Sequence, residues 1–185
     1  MYGGSTNLAG FNNDGYAAGA GVFKRVLWVL VNAAFFQSSI PYPMWLKKAC
    51  LRLFGAKVGK GFVIKPSVTI KYPWKLFIGD YVWIGEFAWI DNLDQVIIGN
   101  HVCISQGAML LCGNHNYKKS TFDLITGSIV LEDGAWVGAK SLVGPGVTVE
   151  SHAVLSVQSV ATRNLDAYTI YRGNPAIPVG RRNIV

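Results

Sequence analysis

Aliphatic residues return at every sixth position through most of this chain. They occupy Val58, Ile64 and Ile70; Ile78, Ile84 and Ile90; and Ile98, Ile104 and Leu110. After a gap the series resumes at Leu131, Val137, Val143, Val149 and Leu155. Four places after most of these stands a residue slim enough for a tight corner, among them Val82, Ala88, Val102, Ala108, Ala135, Ser141, Val147, Ala153 and Ser159. Glycine often follows the aliphatic residue directly, as at Gly59, Gly79, Gly85, Gly99, Gly138 and Gly144. A helix would return apolar residues at three and four places, and a plain strand at every second place. A period of six fits a short strand closed by a turn, with Gly, Asn or Asp supplying positive φ at the corners. Three such sides form a coil of about 18 residues, so the pattern predicts an all-β solenoid, a parallel β-helix.

Related nine-residue phrases recur coil on coil: FIGDYVWIG at 77–85, IIGNHVCIS at 97–105 and VLEDGAWVG at 130–138. With LRLFGAKVGKG at 51–61, YPWKLFIGD at 72–80, VWIGEFAWIDNLD at 82–94, CISQGAMLLCGNHNY at 103–117 and GNPA at 173–176, they carry a family resemblance. Over about residues 22 to 180 the chain resembles the left-handed β-helix acyltransferases with hexapeptide repeats. Within them it most resembles the colanic-acid-biosynthesis acetyltransferases of bacterial exopolysaccharide clusters. Left-handedness is implied by that resemblance alone, since parallel crossovers are ordinarily right-handed.

The pattern divides the chain into a flexible leader at 1–21, a helical N-terminal cap at 22–56, the β-helix at 57–162 and a C-terminal tail at 163–185. Helices are expected at 22–39 and at about 43–54. In the second, Leu46, Ala49, Cys50, Leu53 and Phe54 share the apolar face. The apolar run Val26–Phe36 is eleven residues, against about 20 for a membrane span. Charge is uneven: residues 1–75 hold ten Lys/Arg against the single acid Asp14. Two readings of 22–52 follow, an end cap for the β-helix or a surface resting on an anionic membrane. No nucleic-acid-binding motif accompanies the basic residues. Cys50, Cys103 and Cys112 form no disulfide framework, which fits a cytoplasmic protein, located at the inner face of the membrane if the helices dock there.

The break between Leu110 and Leu131 predicts a protruding loop at about 112–129, and insertions in solenoids usually land on the binding face. His115 lies there between Asn114 and Asn116. Imidazole is suited to taking a proton from an alcohol near neutral pH. The resemblance implies that His115 is the general base of a direct acetyl transfer from acetyl-CoA to a hydroxyl of a sugar. It further implies a homotrimer with the donor lying between subunits. Residues matching the donor positions are Trp136, Ala139, Val157, Thr162 and Arg163. The basic residue common after the NPA motif is replaced by Ile177 and Pro178, and Arg172, Arg181 and Arg182 are the candidates to substitute for it. Asp91, Asn92 and Asn114 are the acceptor candidates, because sugar hydroxyls both donate and accept hydrogen bonds.

No metal is expected. Zinc, as in γ-class carbonic anhydrases of related fold, would need three converging ligands. His101 and His152 instead fall at corners. A non-catalytic scaffold of a polysaccharide-synthesis complex is the other alternative, since fold alone does not dictate activity.

Overall fold

The computed structural model describes residues 4–185; part of the expected leader, residues 1–3, lies outside them. The first coil is β1 (Lys57–Val58), β2 (Val63–Ile64) and β3 (Thr69–Ile70). The second is β4 (Leu76–Ile78), β5 (Trp83–Ile84) and β6 (Trp89–Asp91), and the third β7 (Val96–Ile98), β8 (Cys103–Ile104) and β9 (Met109–Leu111). A hairpin, β10 (Gly113–His115) and β11 (Leu124–Thr126), interrupts the winding. Then come β12 (Ile129–Leu131), β13 (Trp136–Val137) and β14 (Leu142–Val143), and a last coil of β15 (Thr148–Val149), β16 (Val154–Leu155) and β17 (Val160–Ala161). β18 (Thr169–Gly173) and β19 (Ala176–Arg181) close the chain.

These strands stack into three parallel sheets, one per side of a triangular prism. Sheet A runs β1-β4-β7-β12-β15, sheet C runs β17-β14-β9-β6-β3, and sheet B runs from β2 up to β16, then β18 and β19. The fold is a left-handed parallel β-helix of hexapeptide repeats. Every aliphatic residue of the six-residue series is buried, and so are the nine slim residues named with them. Residues 163–185 are more than a tail: β18 extends sheet B on β16, and β19 folds back antiparallel on it through the GNPA turn.

The glycines after each aliphatic residue are required for a reason other than backbone freedom. A Cβ on Gly79 would stand 2.7 Å from the carbonyl oxygen of Gly99 in the coil above, and one on Gly138 2.6 Å from that of Leu155. Coil-to-coil contact excludes a side chain there. Positive φ falls two residues further on, and mostly on larger residues, including Tyr81, His101, Lys140 and His152. Stacked rings steady that corner, with Tyr81 on His101 at 5.1 Å and His152 on Tyr168 at 4.7 Å.

The first coil has no coil beneath it, and its exposed backbone groups need partners. α1 (Val22–Val31), a π-helical turn at Asn32–Phe36 and α2 (Met44–Leu53) supply them. Trp28 Nε1 donates to the Ile70 carbonyl at 2.8 Å, and the Val68 N–H donates to the Phe36 carbonyl at 2.9 Å. From α2, Lys47 Nζ donates to the Lys65 carbonyl at 3.3 Å, Arg52 to the Val58 carbonyl at 2.5 Å, and Lys48 to that of Gly59. The face expected from periodicity is therefore corrected. α2 buries Lys47 and Leu51, while Leu53 is 81% exposed, because the layer below is a row of carbonyls rather than an apolar surface.

Residues 4–21 are also tied down where a flexible leader was expected. The Asn7 N–H donates to the Ser120 carbonyl at 2.7 Å, and Tyr16 Oη donates to the Leu93 carbonyl at 3.1 Å. Trp74 Nε1 and Lys75 Nζ donate to the carbonyls of Ala18 and Ala17. This strap has little apolar periodicity because the bonds holding it engage its backbone as much as its side chains.

Candidate active site

The hairpin that breaks the six-residue series leaves the coil at Cys112 and returns at Gly127, whose N–H donates to the Cys112 carbonyl at 2.9 Å. This bond closes the neck of the loop. Beyond it β10 and β11 pair antiparallel, with His115 opposite Leu124 and Gly113 opposite Thr126. The tip is held by Lys119 Nζ and Thr121 Oγ1 on the Asp123 carboxylate, at 2.8 and 2.6 Å.

That frame fixes the His115 imidazole. Its Nδ1 lies 2.8 Å from the Phe122 carbonyl, and its ring stacks on Phe122 at 4.5 Å and 8°. A carbonyl only accepts, so Nδ1 carries the hydrogen and Nε2 keeps its lone pair. Asn114 Oδ1 accepts the His115 N–H at 2.8 Å. Half-buried, oriented and with a free basic nitrogen, His115 is equipped to take a proton. Phe122, at φ 53°, does the orienting with both its carbonyl and its ring. In the sequence it is one aromatic among polar loop residues, and nothing there marks its role.

Cys112, three residues away, has a different environment. It is fully buried, and that burial pushes its thiol up to about 11. A protonated, inaccessible thiol is a poor nucleophile.

A groove of 610 Å³ runs along the outside of sheet B and the corner after it. It brings together three of the five expected donor residues, Trp136, Ala139 and Val157, with Arg172 and Arg182. Trp136 forms one wall, its Nε1 donating to Ser105 Oγ at 2.9 Å. Arg182 is anchored by Nη1 to the carbonyls of Gly134 and His152. Thr162 and Arg163 do not join this groove. They follow β17 at the next corner, on the far side of sheet C, the corner from which the His115 hairpin also springs.

The acceptor candidates separate. Asn114 is exposed beside His115. Asn92 is fully buried, its Oδ1 accepting the Tyr72 N–H at 2.9 Å and its Nδ2 donating to the Tyr72 carbonyl at 2.6 Å, which leaves no free surface for a sugar. Asp91 is paired with Lys71 at 2.9 Å and lines a cavity under α1 with Trp89 and Arg25. The His115 ring meets Phe122 and, at 6.0 Å, Phe11, rather than either of these residues.

His101 and His152 stand at the corner between sheets A and B, one corner away from His115. Among the described residues no three His, Cys, Asp or Glu side chains gather as a metal site.

The fold is one shared with solved hexapeptide-repeat acetyltransferases. It superposes with a TM-score of 0.82 on such an enzyme from Vibrio cholerae O1 biovar eltor complexed with acetyl coenzyme A, at 22% identity and covering 96% of each chain. It superposes with a TM-score of 0.78 on a galactoside acetyltransferase in complex with coenzyme A, at 21% identity, covering 87% of this chain and 82% of that one. No protein-family model matches the chain. Over 177 residues, 95% of this chain and 97% of the other, it is 38% identical to the "Putative colanic acid biosynthesis acetyltransferase WcaF" of Escherichia coli (strain K12). The chain belongs to that family of acetyltransferases.

Proposed function

We propose that the protein moves an acetyl group from acetyl-CoA to a hydroxyl of a sugar in exopolysaccharide biosynthesis, by direct transfer with His115 as general base. The observation that carries this reading is the Nδ1 contact with the Phe122 carbonyl, which leaves Nε2 as the acceptor. His115 Nε2 takes the hydroxyl proton as the sugar oxygen attacks the thioester carbonyl. When the C–S bond breaks, the imidazolium returns that proton to the departing sulfur. The groove suits the donor: Trp136 offers a flat wall to the pantetheine arm, and small residues let it approach the backbone. Arg172 and Arg182 are placed for its phosphates.

Groove and imidazole lie at different corners of the prism, which supports a homotrimer in which each groove faces a neighbour's His115 hairpin. Thr162 and Arg163 then approach the donor from that neighbour.

The N-terminal helices support contact with an anionic membrane. α1 leaves Val22, Phe23, Val26, Val29 and Leu30 exposed beside the basic residues of the first 75, and no helix among the described residues is long and apolar enough to cross a bilayer.

The test follows CoA release from acetyl-CoA with a thiol reagent, across sugars, nucleotide sugars and oligosaccharides. Acceptor-dependent release that falls by about 10²–10⁴ in His115→Ala is expected. Release that survives the substitution would move the base elsewhere. Failure to bind CoA at all would favour a scaffold.

A further inference from the structure

The strap and the loop hairpin enclose a cavity of 370 Å³, walled on one side by Asn12, Asn13 and Asp14 and on the other by Asp123 and Thr126. This is toward the small end of the ~300–1,000 Å³ typical of ligand sites, and its walls are mostly polar where such sites are mostly apolar. Residues directly opposite in an antiparallel ladder send their side chains to the same face, as do residues two apart in one strand. His115 stands opposite Leu124, and Thr126 lies two places beyond it, so His115 shares a face with Leu124 and Thr126, two of the hairpin residues that line the cavity. The strap crosses that same face, bringing Phe11 to the imidazole and Gly10 against Thr121.

From this geometry we infer that the cavity is the subsite for the hydroxyl-rich acceptor, with Asn13 and Asp14 of the strap and Thr126 of the hairpin as specificity-determining residues. The inference rests on the transferase reading above and deepens it. Amide, carboxylate and hydroxyl groups on opposing walls match a ligand whose hydroxyls donate and accept together. The acceptor contacts expected of Asp91 and Asn92 in the coil below thus come from a segment that was expected to be mobile. Tyr16 is the hinge post of the strap: burial, then the neighbouring Tyr72, pushes its hydroxyl well above the usual tyrosine range, so it stays a donor to Leu93.

The test uses the full chain, acetyl-CoA, and methyl galactoside and UDP-galactose as acceptor probes. Asn13→Ala and Thr126→Val each remove one polar group, one from each wall. Each is expected to raise the acceptor KM by about three- to tenfold, as loss of one hydrogen bond does. The KM for acetyl-CoA and the thermal midpoint should stay at wild-type values. Gly15 also lines the cavity, and Gly15→Phe adds bulk where a Cβ meets no atom within 4 Å, so it should prevent acceptor saturation without unfolding the chain. Wild-type acceptor-dependent release combined with an unmoved acceptor KM in all three variants overturns the subsite and leaves the transferase reading standing. Wild type with no acceptor-dependent release overturns both.

Discussion

His115 and Phe122 are held together twice, by a 2.8 Å contact from the imidazole Nδ1 to the Phe122 carbonyl and by parallel stacking of the two rings at 4.5 Å. Phe122 sits at φ 53°, a conformation that glycine adopts without strain. Phe122→Gly therefore keeps the carbonyl and removes only the stacked ring. The expected result is a kcat lower by roughly 10- to 100-fold, as for a slightly misplaced base, with the KM for acetyl-CoA unchanged. An unchanged kcat would show that the carbonyl alone orients the ring.

Cys112 provides a test by pH. Its thiol titrates near 11 in the folded chain, against an ordinary value of 9.0, because burial penalises the thiolate. Between those values the unfolded chain loses the proton while the folded chain keeps it. Stability therefore falls as pH rises above about 9 and levels off near 11. Chemical denaturation across this range should show the decline, and Cys112→Ala should make it shallower, the remainder coming from Cys50 and Cys103, whose thiols burial also pushes up. The same variant should keep most of its transferase activity, since a direct route needs no acyl-cysteine. Loss to the level of His115→Ala would establish an acyl-enzyme.

Mixed assemblies test whether groove and base come from different copies. His115→Ala removes the base, and Ala139→Trp fills the groove. Neither should transfer acetyl alone. Co-expressed and purified through two tags, mixed trimers should recover about a third of wild-type activity if each site draws on two copies, because each 2:1 or 1:2 trimer then holds one intact site of three. Absence of recovery would place both halves of the site within one chain.

At the other end of the molecule, Lys47→Ala should lower stability by about 0.5–1.5 kcal/mol, because the Lys65 carbonyl loses its donor. Thermal or urea unfolding measures this. Burial already lowers the Lys47 pKa. A variant as stable as wild type would mean that desolvation of the ammonium cancels its bond.

Vesicle sedimentation addresses the exposed face of α1. Binding to anionic vesicles and not to zwitterionic ones is expected, with Phe23→Asp, at a position 83% exposed, weakening it by about tenfold. Equal binding by the variant would remove α1 from the contact.

The winding of the chain was readable because one physical rule, an interior place for an aliphatic side chain every sixth residue, operates from Val58 to Leu155. His115 was readable because that rule breaks where it stands. Other features escaped for definite reasons. Lys47 falls in a helix whose neighbour is a row of carbonyls, so a pattern of apolar residues points to the wrong face. Gly79 looks like a turn glycine until the coil above is in place. Trp136, Ala139 and Val157 were found through family likeness and meet in one groove, whereas Asn92 turns out to be consumed by the backbone of Tyr72. Phe122 and the strap are placed largely by main-chain bonds, at the Phe122, Ala17 and Ala18 carbonyls and the Asn7 N–H, and every residue carries such groups.

The bond from Gly127 N–H to the Cys112 carbonyl pins both feet of the hairpin at adjacent points on the prism. Above and below it, β7 and β12 pair in unbroken register, Val96 with Ile129 and Ile98 with Leu131. The winding therefore counts none of the residues between the two feet. A lineage can lengthen, shorten or exchange that segment without re-registering a single strand, so the chemistry offered to new acceptors is free to diverge while the stack that presents it stays the same.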